Sequence, residues 1–192
     1  MFWETLDFSK VMTKPHKVQL GSYTAKSFFY LFPEWVYEKY GERYYDHVCV
    51  GVDPGVNYGI TVITNLGMEV IWGKLPKLSH FIGLESAELA RSIGKLYKFT
   101  KFEPHVYIEG PAFRTNYGQT KLEQCRSGFI HGFNDYMSDV GIKYIAPSSA
   151  RKIAFGNGNK SAKDLWLMLN ENASDSIGIG LACWFDLIGE SF

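Results

Sequence analysis

The chain has 192 residues, a formal net charge of zero and a hydrophobic content of 46%. That length suits one domain with a core of its own plus an appended segment, and the apolar content excludes a disordered chain. No uninterrupted apolar run reaches the roughly 18 residues of a membrane span, the start of the chain is acidic where a secretion signal is basic, and Cys49, Cys125 and Cys183 fit neither a metal-binding spacing nor a paired disulfide framework, so a soluble cytoplasmic protein is expected.

Charge is uneven along the chain. Between Lys74 and Lys101 six lysines and arginines face two glutamates, and between Pro147 and Asp164 four cations face one aspartate. Such runs are ordinarily solvated faces, and the neutral total argues against a protein that coats nucleic acid.

Residues 1–46 read as an aromatic-rich N-terminal extension, with Phe28, Phe29, Tyr30, Phe32 and Trp35 close together. The only element predicted there is a short helix near 33–42, opened by Pro33 and closed by Gly41. A more regular domain is expected over 47–192. The apolar run Val48–Val52 predicts a buried strand, broken at Asp53, Pro54 and Gly55. The β-branched stretch Gly59–Thr64 and the segment Met68–Trp72 follow at hairpin spacing, which predicts a β-meander. Helical periodicity runs over 84–98, and Pro104 ends it. His105–Glu109 is a fourth strand, 117–138 a long helix, and Ile142–Ile145 a fifth strand. A short helix over 147–155, a turn at Gly156–Gly158, a helix capped by Ser161 with Asp164 three residues on, and a last helix over Ala173–Ile188 complete the chain. The order β-β-β-α-β-α-β-α-α predicts an α/β fold: a mixed five-stranded sheet with helices on both faces.

Three acids stand at telling places. Asp53 follows an apolar strand and precedes Pro-Gly, where Gly55 turns the backbone away without a side chain. Glu109 likewise ends a strand and precedes Gly-Pro. Asp175 heads an otherwise apolar helix, with Asn172 three and Glu171 four residues earlier, so either can share its face. Each alone is an ordinary turn, strand-end or helix-start residue. Together, two strand-end carboxylates and one on a helix packing against that sheet form a set of hard oxygen donors suited to Mg2+ or Mn2+. Two such ions about 4 Å apart activate water and stabilise the leaving oxygen of a phosphodiester.

Over about residues 47–188 the chain resembles the RuvC-like Holliday junction resolvases of the ribonuclease H-like superfamily. The resemblance rests on Gly51-Val-Asp-Pro-Gly55, Tyr107-Ile-Glu-Gly110, Leu122-Glu-Gln-Cys-Arg-Ser-Gly128, Ala146-Pro147, Gly156-Asn-Gly-Asn-Lys-Ser-Ala-Lys163 and Ala173-Ser-Asp-Ser176. It implies a metal-dependent endonuclease acting on branched DNA, with Asp53, Glu109 and Asp175 as the catalytic, metal-holding acids. The family's pair of acids three residues apart reads here as Asn172 and Asp175, so the fourth metal ligand is Asn172 through its amide oxygen, or Glu171. The family's catalytic lysine falls on Lys163, with Lys160 as its rival, and the aromatic that wedges the junction falls on Phe113. Arg114, Lys121 and Arg126 are placed to reach phosphates. The family dimerises through the helix region around 117–138, where Leu122, Phe129 and Phe133 repeat at helical spacing, so a homodimer is implied. The added N-terminal extension looks more like a phage or mobile-element version. Two rivals remain: another ribonuclease H-like nuclease or transposase-type enzyme, and a catalytically silent nucleic-acid-binding module. An actin-like ATPase needs two such halves, for which 192 residues are too few.

Overall fold

The β-branched and aromatic stretches of the chain pair into one mixed sheet of seven strands. The structure, a computed structural model, describes residues 14–44, 46–76, 80–110, 119–136, 142–160, 162 and 170–189. In chain order these form β1 (His16–Leu20), β2 (Tyr23–Leu31), α1 (Glu34–Tyr44), β3 (His47–Asp53), β4 (Asn57–Thr64), β5 (Gly67–Lys74), α2 (Ile82–Leu96), β6 (Glu103–Glu109), α3 (Gln119–Asn134), β7 (Lys143–Ile145), α4 (Pro147–Phe155) and α5 (Glu171–Ile188). The strand order across the sheet is β1-β2-β5-β4-β3-β6-β7. The meander β3-β4-β5 and the pairs β1–β2 and β2–β5 are antiparallel, while β6 and β7 add in parallel beside β3.

The five strands expected from His47 onward are all present, and the mixed α/β architecture with helices on both faces is the one found. The count of five is corrected to seven, because the extension contributes two strands. Gly21, at φ +61°, and Ser22 make a two-residue turn between Leu20 and Tyr23, the connection an antiparallel hairpin favours. β2 then pairs with β5 over Lys26–Leu31. The helix expected near 33–42 is α1, and it runs on through Gly41. The predicted helix capped by Ser161 lies outside the described residues.

The sheet separates two apolar layers. On one face Phe28, Tyr30, Phe32, Val36, Tyr40, Met68, Val70, Trp72 and Phe155 pack against α5, whose Trp184 and Phe185 are fully buried. On the other, Val50, Val52, Ile60, Val62 and Ile71 meet Leu89 and Ile93 of α2 and Phe129 and Phe133 of α3. Those two phenylalanines are therefore core residues, with no exposed surface to offer a second copy. From Ile177 to Phe185 the helix α5 is apolar and buried on every side, as a helix apolar all round requires.

Phe32 joins the extension to the main core, its ring 5.4 Å from that of Trp184, whereas its neighbour Leu31 is 54% exposed. Urea denaturation should show Phe32→Ala losing about 3–5 kcal/mol and Leu31→Ala no more than about 1 kcal/mol. Equal small losses would mean that the extension does not share the core.

Candidate metal centre

Asp53 ends β3 and Glu109 ends the neighbouring parallel strand β6, so the two carboxylates leave the sheet from the same edge. The first turn of α5 lies over that edge. Its start is set by Asn170, whose side-chain oxygen accepts a hydrogen bond from the Ala173 N–H at 2.8 Å, an ordinary N-cap. The helix can come this close because glycines line its path. A Cβ on Gly59, the β4 partner of Asp53, would sit 2.0 Å from the Asn172 carbonyl oxygen, and one on Gly51 would sit 2.1 Å from the Gly180 nitrogen. Thr61 and Ser176 hydroxyls meet at 2.9 Å across the same contact.

This approach gathers four of the residues singled out from sequence. Asn172 donates from its amide nitrogen to Asp53 at 2.9 Å and to the Asn57 carbonyl at 3.1 Å. Asp53 also shares a hydrogen bond with the Glu109 carboxyl, and the Asp175 charge acts on it. Asp53 is only 7% exposed. Burial above all, then the Glu109 contact and charge and the Asp175 charge, hold its carboxyl well above the usual carboxylate range, while the Asn172 amide pulls the other way. A buried carboxyl against a second, with the charge of a third nearby, is a poor host for its own negative charge and a good host for a cation. Glu171 is exposed at the helix start and makes no contact with Asp53 among those described.

One residue of the site was missed from sequence. Arg151 of α4 donates to an Asp175 carboxylate oxygen at 2.5 Å, and its Nε is buried without a partner among the described residues. In the sequence it is only one of four cations in a basic segment. The signal was its place one turn after Pro147, which starts a helix, but nothing local says that α4 packs beside α5. Arg126 is a correction. Expected to reach phosphates, it is 2% exposed; its Nε donates to the Glu109 carbonyl at 2.8 Å and it pairs with Glu123. It fixes the strand end that carries Glu109. Lys121 and Lys160 are exposed, while Phe113, Arg114 and Lys163 lie outside the described residues. A separate group, His47, Glu103 and His105, sits at the opposite ends of β3 and β6, about 20 Å of strand away, and takes no part in this cluster.

A mixed sheet with an antiparallel meander, parallel strands added beside it and helices on both faces is a fold already seen among solved structures. The particular version is that of RuvC. The Thermus thermophilus RuvC structure superposes with a TM-score of 0.57 at 15% identity, covering 75% of this chain and 98% of that one. T. thermophilus RuvC in complex with a Holliday junction substrate gives 0.58 at 16% identity, covering 75% and 97%. This chain therefore has the RuvC-like fold. No protein-family model matches it, and no curated protein matches it in sequence.

Two outcomes follow. Because the folded Asp53 carboxyl titrates higher than in the unfolded chain, the metal-free protein keeps that stabilisation below the ordinary carboxylate range and loses it as pH rises through the raised value. Asp53→Asn should therefore raise Tm at neutral pH without metal, and abolish the further rise that Mg2+ gives the native chain. A lower Tm for the variant at neutral pH would show that the carboxyl is not strained there. Gly59→Ala should cost about 1–3 kcal/mol through overpacking and remove the Mg2+-induced Tm shift as well, since the added methyl displaces the turn that carries Asn172.

Proposed function

We propose that this chain is a divalent-metal-dependent endonuclease that cleaves branched DNA, a Holliday junction resolvase. The observation that carries the reading is the convergence of Asp53, Glu109 and Asp175, with Asn172, at the strand edge of a RuvC-like fold. These four residues would hold Mg2+ or Mn2+, two ions being the number that three carboxylates suit. A half-turn of the Asn172 amide presents its oxygen, the donor a hard cation needs, where the nitrogen now faces Asp53. The donor set fits: all-oxygen, acidic, and with three carboxyl groups in excess of the one positive charge that Arg151 supplies. Bound there, the metal would activate water and neutralise charge on a phosphodiester.

The chain's own residues have distinct parts in this reading. Asp53 and Glu109 fix the cation site from the rigid ends of two hydrogen-bonded strands. Asp175 is held in place by Arg151, whose guanidinium shares the site with any bound phosphate and can neutralise it by forked contacts. Lys163 remains the candidate for a direct catalytic cation, with Phe113 and Arg114 as candidates for junction contact. Lys121 and Lys160, both exposed, are candidates for phosphate contact. Two-fold cleavage of a four-way junction calls for a homodimer. A mainly apolar groove of about 350 Å³ between α2 and α3, with Phe81 and Leu84 exposed beside it, is the surface a second copy would cover. No described helix is long and apolar enough to cross a membrane.

The test is cleavage of a synthetic four-way junction with and without Mg2+. Asp53→Asn, Glu109→Gln and Asp175→Asn should each remove nearly all turnover while junction binding persists. Full activity in any of the three removes that residue from the site. Equal affinity for the junction and for a linear duplex at matched salt would point instead to a general ribonuclease H-like nuclease, and binding without cleavage to a silent module.

A further inference from the structure

The pairing register places two lysines of the N-terminal extension in line with the metal centre. Lys17 pairs with Lys26, Lys26 with Trp72, Trp72 with Gly59, and Gly59 with Asp53. Directly paired residues in antiparallel strands point to the same face. The face is known: Trp72 belongs to the core layer under α5, and Gly59 lies against Asn172 of that helix. Lys17 and Lys26 therefore stand in one row with Asp53, on the side of the sheet where the carboxylates gather. With strands about 4.8 Å apart, Lys26 is about 14 Å and Lys17 about 19 Å from Asp53 at the Cα positions.

The row is also a groove. Lys17, Lys26 and Lys74 line a cleft of about 620 Å³ that also takes in Asn57, the strand partner of Lys74, together with Asn172 and the single acid Glu171. Trp72 lies in its floor, 7% exposed. Both Lys17 and Lys26 are exposed, yet they sit directly opposite one another, a like-charge arrangement that costs stability in a sheet. A polyanion lying across both would turn that repulsion into attraction.

We propose that Lys17 and Lys26 form a phosphate track that extends the substrate path away from the metal centre, taking a DNA backbone about four to six nucleotides from the scissile position at a rise of about 3.4 Å per nucleotide. This rests on the nuclease reading above. It gives residues 14–31 a binding role in addition to their place in the core. The ligand is the phosphodiester chain itself, since lysine ammonium groups on a strand recognise charge and not base identity.

The experiment measures binding of the full chain, without added metal, to a fluorescent four-way junction over a series of KCl concentrations. The variant Lys17→Gln/Lys26→Gln should reduce the slope of log affinity against log salt by about two, at about 0.9 per phosphate contact. Its cleavage rate with Mg2+ at saturating DNA should match the native chain, and its Tm should hold or rise as the repulsion is relieved. The control Lys98→Gln/Lys101→Gln removes the same charge just before β6, at the opposite end of the sheet, and should leave the slope unchanged. Equal slopes for the two double variants would overturn the proposal, as would a reduced slope accompanied by a fall in Tm. Should the native chain bind the junction but not cleave it, the nuclease reading fails while the salt slopes still decide whether the track exists.

Discussion

The contact on which the rest depends is the close seating of α5 against β3 and β4. A helix normally rides on a sheet at a distance set by side chains. Here Gly51 and Gly59 on the strands and Gly180 on the helix remove them, and the backbones meet where any Cβ would collide. Ser176, one turn before Gly180 on the same side of α5, keeps that side small, and its hydroxyl pairs with that of Thr61 to satisfy the polar groups left at the seam. Everything at the site follows from that approach. With ordinary side chains between them, the first turn of α5 would stand off the sheet, and Asn172 and Asp175 would lose Asp53.

Seating the helix there creates an electrostatic conflict that the protein only partly resolves. Three carboxyl groups share one edge of the sheet. The fold answers with the Asn172 amide on Asp53, the Arg151 guanidinium on Asp175, and a proton held on Asp53 more firmly than an exposed aspartate would hold it. Each of these compensates less well than a divalent cation with its carboxylate ligands. Carboxyl groups crowded at one strand end oppose ionisation of the buried one, and a cation between them relieves that opposition. Arg126, donating to the Glu109 carbonyl from inside the core, holds the strand end that carries the Glu109 carboxyl.

Much of this was legible in the sequence, and what was missed has physical causes. Asp53 and Glu109 were readable because each stops an apolar run, so one-dimensional text shows where a strand ends and what it ends in. Asn172 and Asp175 were readable from their three-residue spacing on a helix. Arg151 and Arg126 were not, because nothing near either residue says whether a long cation points to solvent or into a seam between elements. Arg126 carries the same local signature as Lys121, yet one is buried and the other exposed. The hairpin β1–β2 left a signal that went unread, Gly21-Ser22 between Leu20 and Tyr23. The aromatics that follow obscured it: Phe28, Phe29 and Tyr30 break the alternation expected of a one-sided strand, because this part of β2 packs on both faces.

The extension also solves a problem for the meander. Without β2, the strand β5 would end the sheet with Met68, Val70 and Trp72 beside a row of unpaired backbone groups, the kind of edge that recruits other chains. β2 takes those hydrogen bonds, and β1 becomes the edge, short and carrying Lys17. The register of this addition is not free. Phe28 and Tyr30 must face α5 to join the core that contains Trp184, and a slip of one residue would turn both rings to the opposite face. The alternation that buries Phe28 and Tyr30 then carries Lys26, two residues earlier, onto the same side, at the end where α5 begins and the carboxylates lie. One constraint of packing thus places both the aromatic anchors and the basic row, and the strands that complete the sheet bring positive charge into line with its acidic centre.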